Sequence, residues 1–207
     1  MDYRSFLENL TLANQLTFLR LVAVPFFILS VLQGRFGVAL ILFAGAALTD
    51  LLDGLTARVL RQGTALGAYL DPAADKLLLT AGFILLTDFP TMFQQIQMVV
   101  RIPLWLTILT IFRDVLIVSV ALTLYLAYGQ TRFLPSIWGK LTTVAESVTV
   151  GAFLIANFVG RTHAVVPLLV WVTLALTLVS GFHYLGRTMR MVERQDSSAE
   201  APPGPER

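Results

Sequence analysis

Two pairs of aspartates stand out beside long apolar runs: Asp50 and Asp53, three residues apart, and Asp71 and Asp75, four apart. At 3.6 residues per turn, each pair falls on roughly one face of a helix. Four carboxylates drawn together repel one another, and divalent cations with oxygen ligands relieve that repulsion. Such ions typically organise chemistry on phosphate esters. The chain has no cysteine and only two histidines, which favours hard cations such as Mg2+ or Mn2+. Small residues surround the acidic set, among them Gly54, Ala57, Gly63, Gly67 and Ala74, and let a ligand come close to the backbone. Arg58 lies one turn beyond Gly54 and offers a guanidinium fork for a phosphate. Taken singly, these residues have plainer uses. Asp71 before Pro72 suits a helix N-cap followed by an N1 proline, and Asp50 could pair with Arg58. Chance capping does not account for two acidic pairs interleaved with glycine and arginine.

The elements that must hold these residues are membrane spans. Of 207 residues, 56% are hydrophobic and only 14% charged, and the mean hydropathy is +0.75; a soluble domain is about a quarter charged. Six segments approach the roughly 20 apolar residues that cross a bilayer: 16–32, 36–55, 73–86, 102–128, 137–158 and 165–184. The third is short and could begin near Thr64; the fourth is interrupted by Arg113 and Asp114. The sequence therefore predicts an all-α polytopic membrane protein with six transmembrane helices, forming a single membrane domain over residues 1–194. Before the first span, Tyr3, Phe6, Leu7 and Leu10 recur at helical spacing, as in an amphipathic helix lying in the membrane interface. That leader mixes Asp2, Arg4 and Glu8 and does not read as a signal peptide. Residues 195–207, QDSSAEAPPGPER, have the composition of a disordered tail.

Basic residues set the orientation. With both termini cytoplasmic, the inner side takes Arg4, Arg20, Arg58, Arg61, Lys76, Arg132, Lys140, Arg187, Arg190, Arg194 and Arg207, and the outer side only Arg35, Arg101 and Arg161. The aspartates then face the cytoplasm. A formal charge of +2 gives no reason to expect a nucleic-acid partner.

Residues 50–75 read DLLDGLTARVLRQGTALGAYLDPAAD, or D-x2-D-G-x2-A-R-x8-G-x3-D-x3-D. This resembles, without departure, the signature of the CDP-alcohol phosphatidyltransferase family, and the resemblance extends over roughly residues 10–190. It implies a six-helix membrane fold, usually a homodimer, with a polar cavity open to the cytosol. It also implies that Asp50, Asp53, Asp71 and Asp75 bind one or two Mg2+ or Mn2+ ions. Asp75 would be the general base, and Gly54, Ala57, Arg58 and Gly67 would cradle the CDP moiety of CDP-diacylglycerol. The implied reaction passes a phosphatidyl group to an alcohol and releases CMP.

Further stretches bear on the acceptor. Asn14, Thr17 and Arg20 form N-x2-T-x2-R at the entry to the first span; Phe112-Arg113-Asp114 lies in the fourth, and Gly139-Lys140-Leu-Thr-Thr143 opens the fifth. These look like family members with glycerol-type acceptors, glycerol 3-phosphate being the favoured one and phosphatidylglycerol the alternative. Either brings a phosphate, for which Arg113 and Lys140 are candidate cations. Arg113 could instead pair with Asp114 or Glu146, and Lys140 could snorkel to the interface. Trp105, Trp138 and Trp171 read as interface anchors, and His183 as a packed or interfacial residue. A cation transporter using the aspartates for permeation is the reading from another class. The acidic clustering in one half only argues against it, since transporters commonly repeat such features.

Overall fold

The computed structural model describes residues 12–60, 65–89, 95–128 and 136–199. These form an all-α bundle: α1 (Leu12–Leu32), α2 (Phe36–Leu60), α3 (Ala65–Leu86), α4 (Leu104–Tyr128), α5 (Ile137–Val159) and α6 (Val165–Ala199). The expected spans map onto these helices one for one, with α3 starting near the earlier of its two expected boundaries. The last helix continues through residues 195–199, which composition assigned to the tail; residues 200–207 and the leader segment 1–11 lie outside the described residues. Three stretches among the described residues are long and apolar enough to cross a membrane, Leu104–Thr123, Ile137–Val159 and Val165–Met189, and Phe18–Leu32 and Phe36–Thr49 are shorter apolar helices. The chain is an integral membrane protein. Its outward side chains agree: Ile41, Val118, Leu126 and Phe182 are all largely exposed, as a hydrocarbon-facing surface requires.

Helices α3 and α5 are the middle of the bundle. α1 packs on α2 and α3, α5 on α2, α3 and α6, and α4 mainly on α6 with only a light contact to α3. The buried core follows this order, with Phe27 and Val31 from α1, Phe43 from α2, Phe83 from α3 and Val150 and Phe153 from α5. Two turns depend on glycine. Gly34 at φ +69° and Gly160 at φ +74° occupy the left-handed region that ends helices at low cost. The Gly160 N–H closes α5 by donating to the Ala156 carbonyl at 3.0 Å.

The connection from α3 to α4 is braced from α5. Asn157 Oδ1 accepts the Val99 and Val100 N–H groups at 2.7 and 3.2 Å, and its Nδ2 donates to the Val100 and Phe153 carbonyls at 2.9 and 2.8 Å. Beside it the Ile102 N–H donates to the Leu86 carbonyl at 2.8 Å. One buried amide thus satisfies irregular backbone that would otherwise be unpaired in an apolar setting.

Where α3 meets α5, Gly82 permits a close approach: a Cβ at that position would sit 2.8 Å from Val150 Cγ1. Valine is stiff at χ1 and cannot swing clear. Gly82→Ala is therefore expected to lower stability by about 1–3 kcal/mol through overpacking. Gly45→Ala, with nothing within 4 Å of the added carbon, should be neutral or gain up to about 1 kcal/mol. Denaturant unfolding in detergent micelles compares the two; equal effects would contradict the close packing.

Candidate active site

Helix α2 carries Asp50, Asp53, Gly54, Ala57 and Arg58, and α3 carries Gly67, Asp71 and Asp75. For all of these except Asp75 the description stops at the backbone, which is helical throughout. That settles one point about Asp71. α3 begins at Ala65 and runs through Asp71 and Pro72, so Asp71 is not an N-cap and Pro72 is not an N1 proline. The helical backbone keeps Asp50 with Asp53, and Asp71 with Asp75, at the i,i+3 and i,i+4 registers of one face. Among the described residues no group of three or more acidic or histidine side chains is gathered for a metal; the side chains of Asp50, Asp53 and Asp71 lie outside them. Asp75 is partly buried.

Asn14, Thr17 and Arg20 follow at intervals of three on α1, which packs on both aspartate helices. Arg20 is only 2% exposed, so its charge is directed into the bundle.

A charge network crosses the bundle next to Asp75. Lys76 Nζ donates to Asp114 Oδ2 of α4 at 2.7 Å and lies 3.6 Å from Glu146 Oε2 of α5. The other oxygen of Asp114 accepts Arg113 Nη1 at 2.8 Å, and Arg113 Nη2 donates to Ser180 Oγ of α6 at 2.5 Å. Glu146 and Arg113 are buried, at 2% and 6% exposure. Two cations and two anions on three helices compensate one another, as charges within a membrane segment must. Gly139 leaves room for the arginine: a Cβ there would lie 3.2 Å from Nη2.

Arg113 therefore spends both terminal nitrogens within the bundle, the pairing that the sequence left as its other use. Lys140 remains exposed at the start of α5. The wall between α4 and α6 holds a groove of about 140 Å³ with Arg113 and Thr177 among apolar neighbours. A larger cavity, about 350 Å³, is lined by Arg101, Trp105, Val166 and Trp171. It belongs to the far end of the bundle, near the α3 C-terminus, which is roughly 16 Å along the helix from Asp75 at 1.5 Å per residue. Trp105 and Trp171 pair there, ring centroids 5.9 Å apart.

The profile of the CDP-alcohol phosphatidyltransferases matches residues 10–179, enclosing both aspartate helices. The chain belongs to this family. It is a transferase of phospholipid biosynthesis, with the phosphatidyl-transfer activity that defines the group. A Mycobacterium tuberculosis relative named probable phosphatidylglycerophosphate synthase is 34% identical, over 86% of this chain and 82% of its own. The Bacillus subtilis CDP-diacylglycerol–glycerol-3-phosphate 3-phosphatidyltransferase is 32% identical over 85% of this chain and 94% of its own. A Rattus norvegicus cardiolipin synthase (CMP-forming) is 30% identical over 88% of this chain and 64% of its own.

In this phosphatidyltransferase, sequence reasoning underused Lys76 and Glu146. Lys76 counted only toward orientation, and Glu146 only as a partner for Arg113. The available signal was Glu146 itself, a carboxylate nine residues into an apolar span, which needs a cation near it. Breaking the buried pair by Arg113→Met should cost about 3 kcal/mol, whereas Ser180→Ala should cost about 1 kcal/mol. Unfolding in micelles reads both, and an Arg113→Met loss no greater than that of Ser180→Ala would show that the ion pair contributes little.

Proposed function

We propose that this enzyme transfers the phosphatidyl group of CDP-diacylglycerol to glycerol 3-phosphate, giving phosphatidylglycerophosphate and CMP. The observation that carries the chemistry is the complete D-x2-D-G-x2-A-R-x8-G-x3-D-x3-D motif, set on two consecutive helices that keep each acidic pair in register. The acceptor rests on the relatives named for glycerol 3-phosphate or its product, of which this chain spans 82% and 94% of the length, against 64% for the rat cardiolipin synthase. Phosphatidylglycerol is the alternative acceptor.

The residues suit a divalent metal. Asp50, Asp53, Asp71 and Asp75 offer only hard oxygen donors, and two acidic faces on successive helices match what Mg2+ or Mn2+ requires. When bound, one or two such ions would offset the charge of the diphosphate and polarise it. The chain's own residues do the remaining work. Gly54, Ala57 and Gly67 let the nucleotide approach the helix backbones, and Arg58 grips a phosphate. Asp75 takes the proton from the acceptor hydroxyl as its oxygen attacks the phosphorus bearing diacylglycerol; the bond to CMP breaks, and CMP leaves. Asn14, Thr17 and Arg20 on α1, Arg113 on α4 and Lys140 on α5 are the candidates for the acceptor phosphate. All six helices span the bilayer as one domain that ends near residue 194, with the leader as an interfacial helix, the motif and both termini cytoplasmic, and two copies forming a homodimer. The bacterial inner membrane is the location that goes with this reading.

An acceptor screen with the purified enzyme, labelled CDP-diacylglycerol and Mg2+ tests the reading. CMP release should require glycerol 3-phosphate; release with phosphatidylglycerol alone would assign the other acceptor. Cation uptake into vesicles without CMP release would return the protein to the transporters. Asp75→Asn should retain CDP-lipid binding and lose at least about 100-fold in turnover; normal turnover would remove Asp75 as the base.

A further inference from the structure

Lys76 stands immediately after Asp75, yet the two serve different faces of α3. Successive helical residues are about 100° apart, so Asp71 and Asp75 share a face with Leu78 and Gly82, while Lys76 shares one with Leu79 and Phe83. Gly82 meets Val150 of α5. Lys76 meets Asp114 of α4 at 2.7 Å and Glu146 of α5 at 3.6 Å. α3 has only a light packing contact with α4, so this ion pair is the polar tie between those helices at the level of the motif. Asp114 is itself held by Arg113, which is anchored to Ser180 of α6. A helix secured on its Lys76 face is not free to roll about its axis. Its roll decides the direction in which the Asp71–Asp75 face is presented.

We propose that Asp114 and Glu146 are positioning residues for the aspartate motif, acting through Lys76 to set the rotation of α3. This rests on the metal reading of the motif given above. The network lies on the Lys76 face of α3. Its effect is on the geometry of the carboxylate set, in the way that groups behind metal ligands orient them. Carboxylates rotated out of register still fold into a bundle but hold a dication less well.

The test is Mn2+ binding to the detergent-solubilised enzyme, followed by electron paramagnetic resonance below the unfolding temperature of each variant, with CMP release measured in parallel. Asp114→Asn, Glu146→Gln and Lys76→Met should each weaken Mn2+ binding by about tenfold. Lys76→Arg, which keeps the charge and its partner, should bind nearly as the parent does. If Asp114→Asn does not fold, Lys76→Met and Glu146→Gln carry the same comparison. Unchanged Mn2+ affinity alongside lowered unfolding temperatures would reduce the network to a stability element and overturn the proposal. Tighter binding in Lys76→Met would also overturn it, by showing that the ammonium competes with the metal. Absence of Mn2+ binding to the parent enzyme is a separate result, since it removes the metal reading itself.

Discussion

A charge inside an apolar bundle has to be answered by an opposite charge in the same bundle, and here Asp114 answers two at once. One of its oxygens meets Lys76 of α3 and the other meets Arg113 of α4, which reaches Ser180 of α6. In water such an exchange contributes little. Within a membrane span the alternative is an uncompensated ion, and the arrangement becomes a condition for the helices to sit together at all. The neighbouring Glu146, nearly enclosed on α5, extends the same requirement to the centre of the bundle.

The rest of the architecture is consistent with that central condition. α3 and α5 meet closely because Gly82 removes a side chain where Val150 passes. At the far end, Asn157 replaces the missing backbone partners of residues 99 and 100. α3 is thus held at its C-terminal end by backbone hydrogen bonds to Ile102 and in its middle by charge, and the aspartate motif occupies its other half. Membrane helices gain little from burying apolar surface against one another, since lipid is equally apolar, so close packing and polar ties carry the specificity.

The family's chemistry and its choice of acceptor are separable. Relatives named for different products lie at 34% and 30% identity to this chain, so a common scaffold serves more than one alcohol. The family profile spans residues 10–179 and so includes the aspartate motif of this chain. Glycerol 3-phosphate and phosphatidylglycerol pose similar demands on an acceptor site because each presents a phosphate. Arg113 has two uses open to it. It is a basic residue in a span, as an acceptor site would need, and the bundle itself takes up both of its terminal nitrogens.

Much of this protein could be read from its residues alone. Span-length apolar runs located the six helices, because a membrane-crossing segment must be long enough for the bilayer and satisfy its backbone groups within itself; the last helix runs on from residue 184 to Ala199, beyond its apolar stretch. The motif was legible as well, since a helix turns an i,i+3 or i,i+4 spacing into a shared face without help from the rest of the fold. Asp71 marks where a single-residue reading fails: next to Pro72 it looks like a helix start, whereas α3 begins at Ala65, near the earlier start at Thr64 that the sequence also allowed. The partners of Lys76 were equally out of reach. It lies 38 residues from Asp114 and 70 from Glu146, and nothing in local spacing indicates which of the bundle's charges will be neighbours. That is decided when helices pack, because the cost of an unpaired ion selects among arrangements that apolar surfaces alone would leave nearly equal.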